Sequence, residues 1–387
     1  MSTDTLRICT AGSVDDGKST FVGRLLFDTN NIAADQLEAA KRASAPGTLD
    51  LSLLVDGLRA EREQGITIDV AYRYFRAFGR TFILADTPGH VQYTRNTVTG
   101  LSTSQVTIVL VDIRNGVTDQ TRKHINVAQL LGIKDIIIAA NKMDLIDWDE
   151  ARFNAVAADI AAIAPTATIV PVSALTGDNI VTRSEAASWY SGPTIGELLA
   201  EIEVATESYP FRFPVQYVLR DSEGVRSYAG QVATGDIAVG DEVSIITNGS
   251  TVNTAHITEI RTTDGPVERA SAGSSIELVI DSHVDIARGD LIAVTPPIST
   301  RTLSATAIGL SDKQLDTSSG ILNFRYGTSV VRARITNGEI TTNGLDQVDI
   351  QLASDLPVEP YAARGAVGSF LLIHPATGDT LAAGLAR

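Results

Sequence analysis

A phosphate-binding loop is the first stretch of the sequence whose residue types and spacing suit chemistry. Residues 11–20 read AGSVDDGKST and contain the frame Gly-x4-Gly-Lys-Ser. In this frame, glycines and backbone N–H groups surround a β-phosphate, the lysine neutralises β- and γ-phosphate oxygens, and the serine hydroxyl binds Mg²⁺. We therefore expect a nucleotide phosphate site, with Lys18 as a catalytic cation, formed by Gly12, Ser13, Val14, Asp15, Asp16, Gly17, Lys18, Ser19 and Thr20.

Two carboxylates inside this loop, Asp15 and Asp16, conflict with the binding of a polyphosphate. A carboxylate about 6 Å from one phosphate charge costs roughly 3 kcal/mol at an effective dielectric near 20. The side chains can nevertheless point outward while the N–H groups point inward. We expect Asp15 to brace the loop or, alternatively, to hold a monovalent cation near the phosphates. For Asp16, an ion pair with a basic residue such as Arg62 is one option.

Two later segments supply groups for the γ-phosphate and a metal ion. DTPGH (86–90) ends an apolar run, where Asp86 can hold Mg²⁺ through water and Gly89 can meet the γ-phosphate. GITID (65–69) offers Thr67, whose hydroxyl can bind Mg²⁺ and whose N–H can bind the γ-phosphate. The predicted metal ligands are therefore Ser19, Thr67 and Asp86.

His90, directly after the DTPG turn, is the candidate for orienting the attacking water. Phosphoryl transfer depends on positioning and charge stabilisation more than on a strong base, so an imidazole is sufficient. A loop histidine with a purely structural role is the alternative. His124 is expected on the polar face of a helix, and structural or solvent roles are expected for His256, His283 and His374.

Two further segments predict a guanine pocket. In NKMD (141–144), Asp144 can accept hydrogen bonds from guanine N1–H and the exocyclic amine, a pattern that adenine cannot supply. Asn141 can bond the base edge and the phosphate loop, while the Lys142 stem covers the ring. SAL follows another strand end, where ligands collect in open α/β sheets, and closes the pocket with Ser173, Ala174 and Leu175. The order of these motifs indicates GTP rather than ATP.

Predicted strands and helices alternate along the first half of the chain, and they must position these residues. Apolar runs predict buried parallel strands at 6–11, 81–86, 106–112, 135–141 and 168–174. Helical patterns lie near 18–27, 91–100, 118–131, 149–163 and 194–204, and the segment 28–64 is expected to form part of a mobile switch. This alternation predicts an α/β layered domain.

Short alternating runs broken by glycine turns begin after residue 208 and are typical of antiparallel barrels. The two prolines of TPPIST (295–300) mark a second boundary. We therefore expect a P-loop GTPase domain over 1–208, followed by two antiparallel β-barrel domains over 209–299 and 300–387.

Composition narrows the class of protein. The 31 Lys and Arg residues against 46 Asp and Glu residues give a net charge of −15, which argues weakly against a general nucleic-acid binder. The single cysteine, Cys9, lies in an apolar run and cannot form an intrachain disulfide. No apolar run approaches the roughly 20 residues of a membrane span. We expect a cytoplasmic protein that binds neither nucleic acid nor membrane.

The motif order and the two β-barrels resemble the translational GTPases, the superfamily of elongation factors. The match is closer to one branch, the GTPase (large) subunit of bacterial sulfate adenylyltransferase. It is carried by GSVDDGKST, by LVDGLRAEREQGITIDVAYRYF (54–75), by DTPGHVQYTRN (86–96), by GDNIVTRSE with WYSGPT (177–194) and by EPYAARGAVGSFLLI (359–373). Elongation factors usually carry GHVDHGKT at the first stretch, and the branch more often has Glu where this chain has Val91.

This resemblance implies a heteromeric enzyme. In that family the GTPase pairs with a smaller catalytic subunit, which makes adenosine 5′-phosphosulfate and pyrophosphate from ATP and sulfate. The mixed anhydride is energetically uphill, and GTP hydrolysis drives its formation. Two alternatives remain open: an elongation factor that delivers aminoacyl-tRNA, and a GTP-binding scaffold without useful turnover.

Overall fold

The computed structural model describes residues 5–44, 49–55, 69–90, 93–203, 209–220, 222, 224–310, 320–342, 344–362 and 366–387. The chain forms two compact units, Met1–Ala205 and Thr206–Arg387. The second unit contains two separate β-cores. The division into three domains, with boundaries after residues 208 and 299, remains a prediction. Within the described residues, no helix has the length and apolar character needed to span a membrane.

The first unit is built on one six-stranded sheet with the order β2-β3-β1-β4-β5-β6. Strands β1, β3, β4, β5 and β6 run parallel, while β2 pairs with β3 antiparallel. The strands are β1 (Thr5–Gly12), β2 (Ala71–Ala77), β3 (Arg80–Asp86), β4 (Val106–Asp112), β5 (Asp135–Asn141) and β6 (Thr168–Pro171). The predicted parallel strands are all present, and β2 is an edge strand that the sequence patterns did not predict.

Helices cover the sheet of the first unit. They are α1 (Lys18–Asp28), α2 (Ala34–Ala43), α3 (Thr94–Ser102), α4 (Asp119–Leu130), α5 (Glu150–Ala161) and α6 (Ile195–Glu201), with short 3₁₀ helices at Leu51–Leu54 and Met143–Ile146. Helix α2 falls inside the segment that was expected to be a mobile switch. Part of that segment, 45–48 and 56–64, lies outside the described residues.

The sheet places the predicted motifs at the carboxyl ends of its parallel strands. Every residue of β4 is buried, as the continuous apolar run predicts for a strand covered on both faces. The helix α1 packs on the same core through Phe21, Val22, Leu25 and Leu26. Because the strands are parallel, the loops after β1, β3, β5 and β6 emerge on the same side and bring the predicted motifs together.

The first β-core of the second unit is a half-barrel sheet, with strand order β7-β16-β11-β12-β15-β9-β8 and β13 beside β12. A two-stranded ladder of β10 and β14 accompanies it. The strands are β7 (Arg212–Pro214), β8 (Tyr217–Arg220), β9 (Arg226–Gln231), β10 (Asp236–Ala238), β11 (Glu242–Thr247), β12 (Ser250–Thr262), β13 (Gly265–Val267), β14 (Arg269–Ser271), β15 (Ser275–Ile280) and β16 (Leu291–Ala293).

The second β-core is a closed barrel with the order β17-β20-β19-β18-β21-β22. Its strands are β17 (Thr300–Gly309), β18 (Leu322–Tyr326), β19 (Ser329–Asn337), β20 (Leu345–Leu356), β21 (Ser369–Ile373) and β22 (Thr380–Ala386). An ion pair joins the two cores, since Arg212 donates to both carboxylate oxygens of Glu359 at 2.7 and 2.8 Å. The α/β domain and the two β-structures confirm the predicted fold class.

Candidate functional site: a nucleotide-binding junction

The phosphate loop connects the carboxyl end of β1 to the amino end of α1. Gly17, the residue before α1, has a φ of 92°, which an L side chain rarely adopts. A Cβ atom at this position would also lie 2.5 Å from the Asn141 Nδ2 atom. Ser19 and Thr20 are half-buried in the first turn of α1, and Val14 is 42% exposed at the loop surface. The first turn of α1 therefore lies directly after this loop, an arrangement that suits an anion, and its role in phosphate binding stays a prediction.

Lys18 holds a largely desolvated positive charge at this site. Its side chain is buried, and Nζ donates to the carbonyls of Gly12 at 3.0 Å and Ser13 at 2.7 Å. Burial lowers the pKa of the Lys18 ammonium, while the nearby carboxylates, Asp86 above all, oppose that shift. A Cβ on Gly89 would lie 2.3 Å from Lys18 Nζ, so the DTPG turn passes directly against this ammonium. The residues present fit a bound polyphosphate.

Asp16, and not Asp15, braces the loop. The Asp16 carboxylate is 4% exposed and its Oδ2 accepts a 2.6 Å hydrogen bond from the Ser13 N–H. Burial raises the pKa of Asp16, and the Ser13 hydrogen bond and the Lys18 charge oppose that rise. Asp15 is exposed, has a φ of 66°, and its carbonyl accepts from Lys142 Nζ. The proposed partner of Asp16, Arg62, lies outside the described residues.

Asn141 joins the phosphate loop to the predicted base loop, Ser173–Leu175. Its side chain is buried, Nδ2 donates to the Asp16 carbonyl at 2.8 Å, and Oδ1 accepts from the Ala174 N–H at 2.9 Å. The structure therefore places the residues of NKMD, SAL and the phosphate loop in one junction. Ser173 is buried and its Oγ accepts from the Thr176 N–H, while Leu175 is 63% exposed.

Lys142 forms an ion pair with the carboxylate of Asp112, a residue that the sequence patterns did not identify. Its Nζ lies 2.9 Å from Asp112 Oδ2, at the end of β4, and Lys142 has a left-handed φ of 67°. Burial alone would raise the pKa of Asp112, but hydrogen bonds from Arg114 and Lys142 hold it well below its usual range. Asp144, two residues after Lys142, is half-buried in the 3₁₀ helix Met143–Ile146. An aspartate at the end of an apolar strand is a signal that could have identified Asp112.

Asp86 and Ser19 provide hard oxygen ligands that suit Mg²⁺. Asp86 is 1% exposed at the end of β3, and its Oδ1 accepts a 2.7 Å hydrogen bond from Thr10 Oγ1. Thr10 was not predicted, although its position on β1 opposite Asp86 in the parallel register places it there. The third predicted ligand, Thr67, lies outside the described residues.

His90 is exposed at the end of the DTPG turn, and its ring centroid lies 6.1 Å from that of Tyr93. The following residues, 91–92, lie outside the described part of the chain. An exposed imidazole beside Gly89 is compatible with contact to a water above the phosphate site. The role of His90 therefore stays a prediction.

His124 corrects an expectation from the sequence, because it is buried rather than on a polar face. It is 3% exposed, and its Nε2 lies 3.1 Å from Gln120 Nε2, which can only donate. His124 also hydrogen-bonds the Gly12 backbone. Burial, followed by the charges of Lys18 and Lys123, lowers the pKa of His124 to about 3.

This buried imidazole predicts a loss of stability in acid. The unfolded chain binds a proton below a pKa of about 6.5 and the native state does not, so the free energy of unfolding falls by about 1.4 kcal/mol per pH unit between roughly pH 6 and 4. His124→Asn should flatten this slope in urea titrations measured at each pH. The exposed His283, changed to Asn, is the control and should leave the slope unchanged. Equal slopes for all three proteins would contradict the assignment.

The fold and the junction together define a GTP-binding protein of the elongation-factor class. A family model described as the elongation factor Tu GTP binding domain matches residues 3–208. The chain is also similar to the Ski7 GTPase-like domain of S. cerevisiae, solved with GDP and inorganic phosphate, with a TM-score of 0.54, 18% identity, and coverage of 99% of this chain and 97% of that one. This second likeness concerns the fold alone.

Curated relatives identify the branch within that class. The chain is 42% identical to sulfate adenylyltransferase subunit 1 of Bacteroides fragilis, over 99% of this chain and 86% of the relative. It is 42% identical to the bifunctional enzyme CysN/CysC of Mycobacterium tuberculosis, over 99% of this chain and 67% of that protein. The chain belongs to the sulfate adenylyltransferase subunit 1 family, a family of GTPases, which confirms the resemblance noted in the sequence.

Proposed function

We propose that this chain is the GTPase subunit of a heteromeric sulfate adenylyltransferase. In this proposal, GTP hydrolysis to GDP and phosphate drives a smaller partner subunit, which forms adenosine 5′-phosphosulfate and pyrophosphate from ATP and sulfate in the cytoplasm. The observation that carries it is the Asn141 junction between phosphate and base loops, in a chain 42% identical along nearly its whole length to a relative named subunit 1.

The roles proposed for the site residues follow from their chemistry. Lys18 and the N–H groups of the loop bind the phosphates, and Gly89 meets the γ-phosphate. Ser19, Thr67 and Asp86 would hold Mg²⁺, which neutralises phosphate charge when bound. His90 orients the attacking water. The 141–144 segment and Ser173–Leu175 bind guanine.

The proposal also includes a monovalent cation near Asp15. Asp15 is exposed and lies beside the Lys142 ammonium, which already supplies a positive charge to that side of the loop. The cation should therefore matter less than Mg²⁺ for turnover. The Asp16 carboxylate accepts from the Ser13 N–H, and this hydrogen bond opposes the rise in the pKa of Asp16 that burial causes.

The test measures GTP hydrolysis by the full chain alone and with the smaller subunit, ATP and sulfate. Hydrolysis should rise only when all three are present, and adenosine 5′-phosphosulfate should accumulate only with GTP. His90→Ala should lower both rates about a hundredfold or more while GTP binding changes little. His283→Ala, an exposed histidine of the second unit, is the matched control.

Two outcomes would overturn this function. GTP hydrolysis at the same rate with and without the partner, ATP and sulfate would show that hydrolysis is not coupled to sulfate activation. Copurification with aminoacyl-tRNA, together with hydrolysis stimulated by ribosomes, would instead assign the chain to translation.

A further inference from the structure

An arginine on α1 contacts the predicted base loop, although no sequence motif marked it. Arg24 Nε donates to the carbonyl of Ala174 at 3.3 Å, and Arg24 Nη2 donates to the carbonyl of Leu175. Two successive carbonyls of one loop are thus bound by a single guanidinium, whose planar fork suits such paired contacts. The chain two residues beyond this loop also approaches Arg24 closely, because a Cβ on Gly177 would lie 3.2 Å from Arg24 Cδ.

Arg24 is itself held in place. Its Nη1 lies 3.6 Å from Asp28 Oδ1 one turn later on α1, and both side chains are about four-fifths buried, at 17% and 21% exposure. The guanidinium also stacks 5.8 Å from the Phe27 ring centroid. The flanking residues Val22, Leu25 and Leu26 are in the core, so α1 is a rigid support for this contact.

The same helix carries the phosphate-binding residues at its start. Lys18 precedes Arg24 by six residues, about 9 Å along a helix. Helix α1 therefore contacts the phosphate loop at its amino end. About two turns later, it contacts the Ser173–Leu175 loop through Arg24. The Asn141 amide oxygen, which accepts from the Ala174 N–H, and the Arg24 guanidinium together bond three backbone groups of the Ser173–Leu175 loop.

We propose that Arg24 is a positioning residue that holds the Ser173–Leu175 loop in place for the guanine base. This inference rests on the proposed binding of GTP. Its contribution concerns the base and not the phosphates, because outside α1 it bonds the carbonyls of Ala174 and Leu175. The turnover of bound GTP should not depend on it.

The experiment compares the full chain with its Arg24→Ala and Arg24→Lys variants. Arg24→Ala should weaken GDP binding about tenfold and raise KM for GTP with kcat unchanged, since one or two part-exposed hydrogen bonds are lost. Inorganic tripolyphosphate, which has no base, should inhibit GTP hydrolysis by the wild-type chain and by Arg24→Ala at the same concentration. Arg24→Lys should restore part of the GDP affinity through a single contact.

Arg42→Ala is the matched control, because this exposed arginine of α2 bonds only a carbonyl of its own helix among the contacts described. Unchanged GDP binding by Arg24→Ala, or an equal loss of tripolyphosphate binding, would overturn the positioning role. A wild-type chain that binds no guanine nucleotide would instead contradict the proposed function.

Discussion

Asp144→Asn is expected to shift the base preference of this protein from guanine to xanthine by about a hundredfold or more. The carboxylate can accept from two donors of guanine, and hydrogen bonds to charged groups contribute about 1.5–3 kcal/mol each. An amide donates where the carboxylate accepted, so it suits the carbonyl of xanthine. Competition between GDP and XDP for the variant measures the shift.

The local structure around Asp144 is expected to tolerate this substitution. Asp144 is half-buried in the 3₁₀ helix Met143–Ile146, and Lys142 before it is fixed by Asp112. Asp147→Asn is the control, because Asp147 is exposed, has a left-handed φ of 51° that asparagine tolerates, and lies outside the predicted pocket. An unaltered GDP preference in Asp144→Asn would remove Asp144 from base recognition.

Asn141→Ala is expected to weaken GTP binding by about a hundred- to a thousandfold. The change leaves the Asp16 carbonyl and the Ala174 N–H without the buried amide that now bonds both. Each unsatisfied buried group costs about 1–3 kcal/mol. The phosphate loop and the Ser173–Leu175 loop would each lose the hydrogen bond that they make with the Asn141 amide. Titration with a fluorescent GDP analogue and urea unfolding measure affinity and stability separately.

A second buried asparagine offers a matched comparison. Asn179 is 2% exposed and also bonds two backbone groups, the Pro171 carbonyl at 2.9 Å and the Ser184 N–H at 2.8 Å. Asn179→Ala should lower the free energy of unfolding at least as much as Asn141→Ala, since the lost contacts are alike and Asn179 also has a left-handed φ of 58°, which alanine tolerates less well than asparagine. Its effect on nucleotide affinity should be far smaller. Equal affinity losses would show that Asn141 acts through stability alone.

The first-unit strands could be predicted because each is a continuous apolar run between turn signals. Edge strand β2 could not, since AYRYFRA has only Phe75 buried and exposes Tyr72 and Tyr74. Helix α2 was missed for the same reason, because Ala40 is its single buried residue. In the second unit, alternation indicates strands but not their partners, so the half-barrel and the closed barrel were indistinguishable from sequence.

The motif residues of the site were predictable because motif and strand end coincide. Two supporting residues were not, because Thr10 and Arg24 act through contacts between segments far apart in the sequence. Asp112, at the end of β4, carries the same strand-end signal as the motifs. His124 was placed wrongly on the basis of its polarity. Its spacing of three residues from Thr121 and four from Ala128, both buried, would have placed it on the inner face of α4.

The Asn141 amide also limits how these loops can change over evolution. One side chain bonds backbone groups that are 125 and 33 residues away in the sequence. Because it contacts backbone, it is insensitive to the side chains at positions 16 and 174 but sensitive to the path of either loop. Substitutions that keep the path can accumulate independently, whereas insertions in one loop require compensation in the other. Grafting a base loop from a distant relative into this protein would therefore succeed only if the phosphate loop came with it.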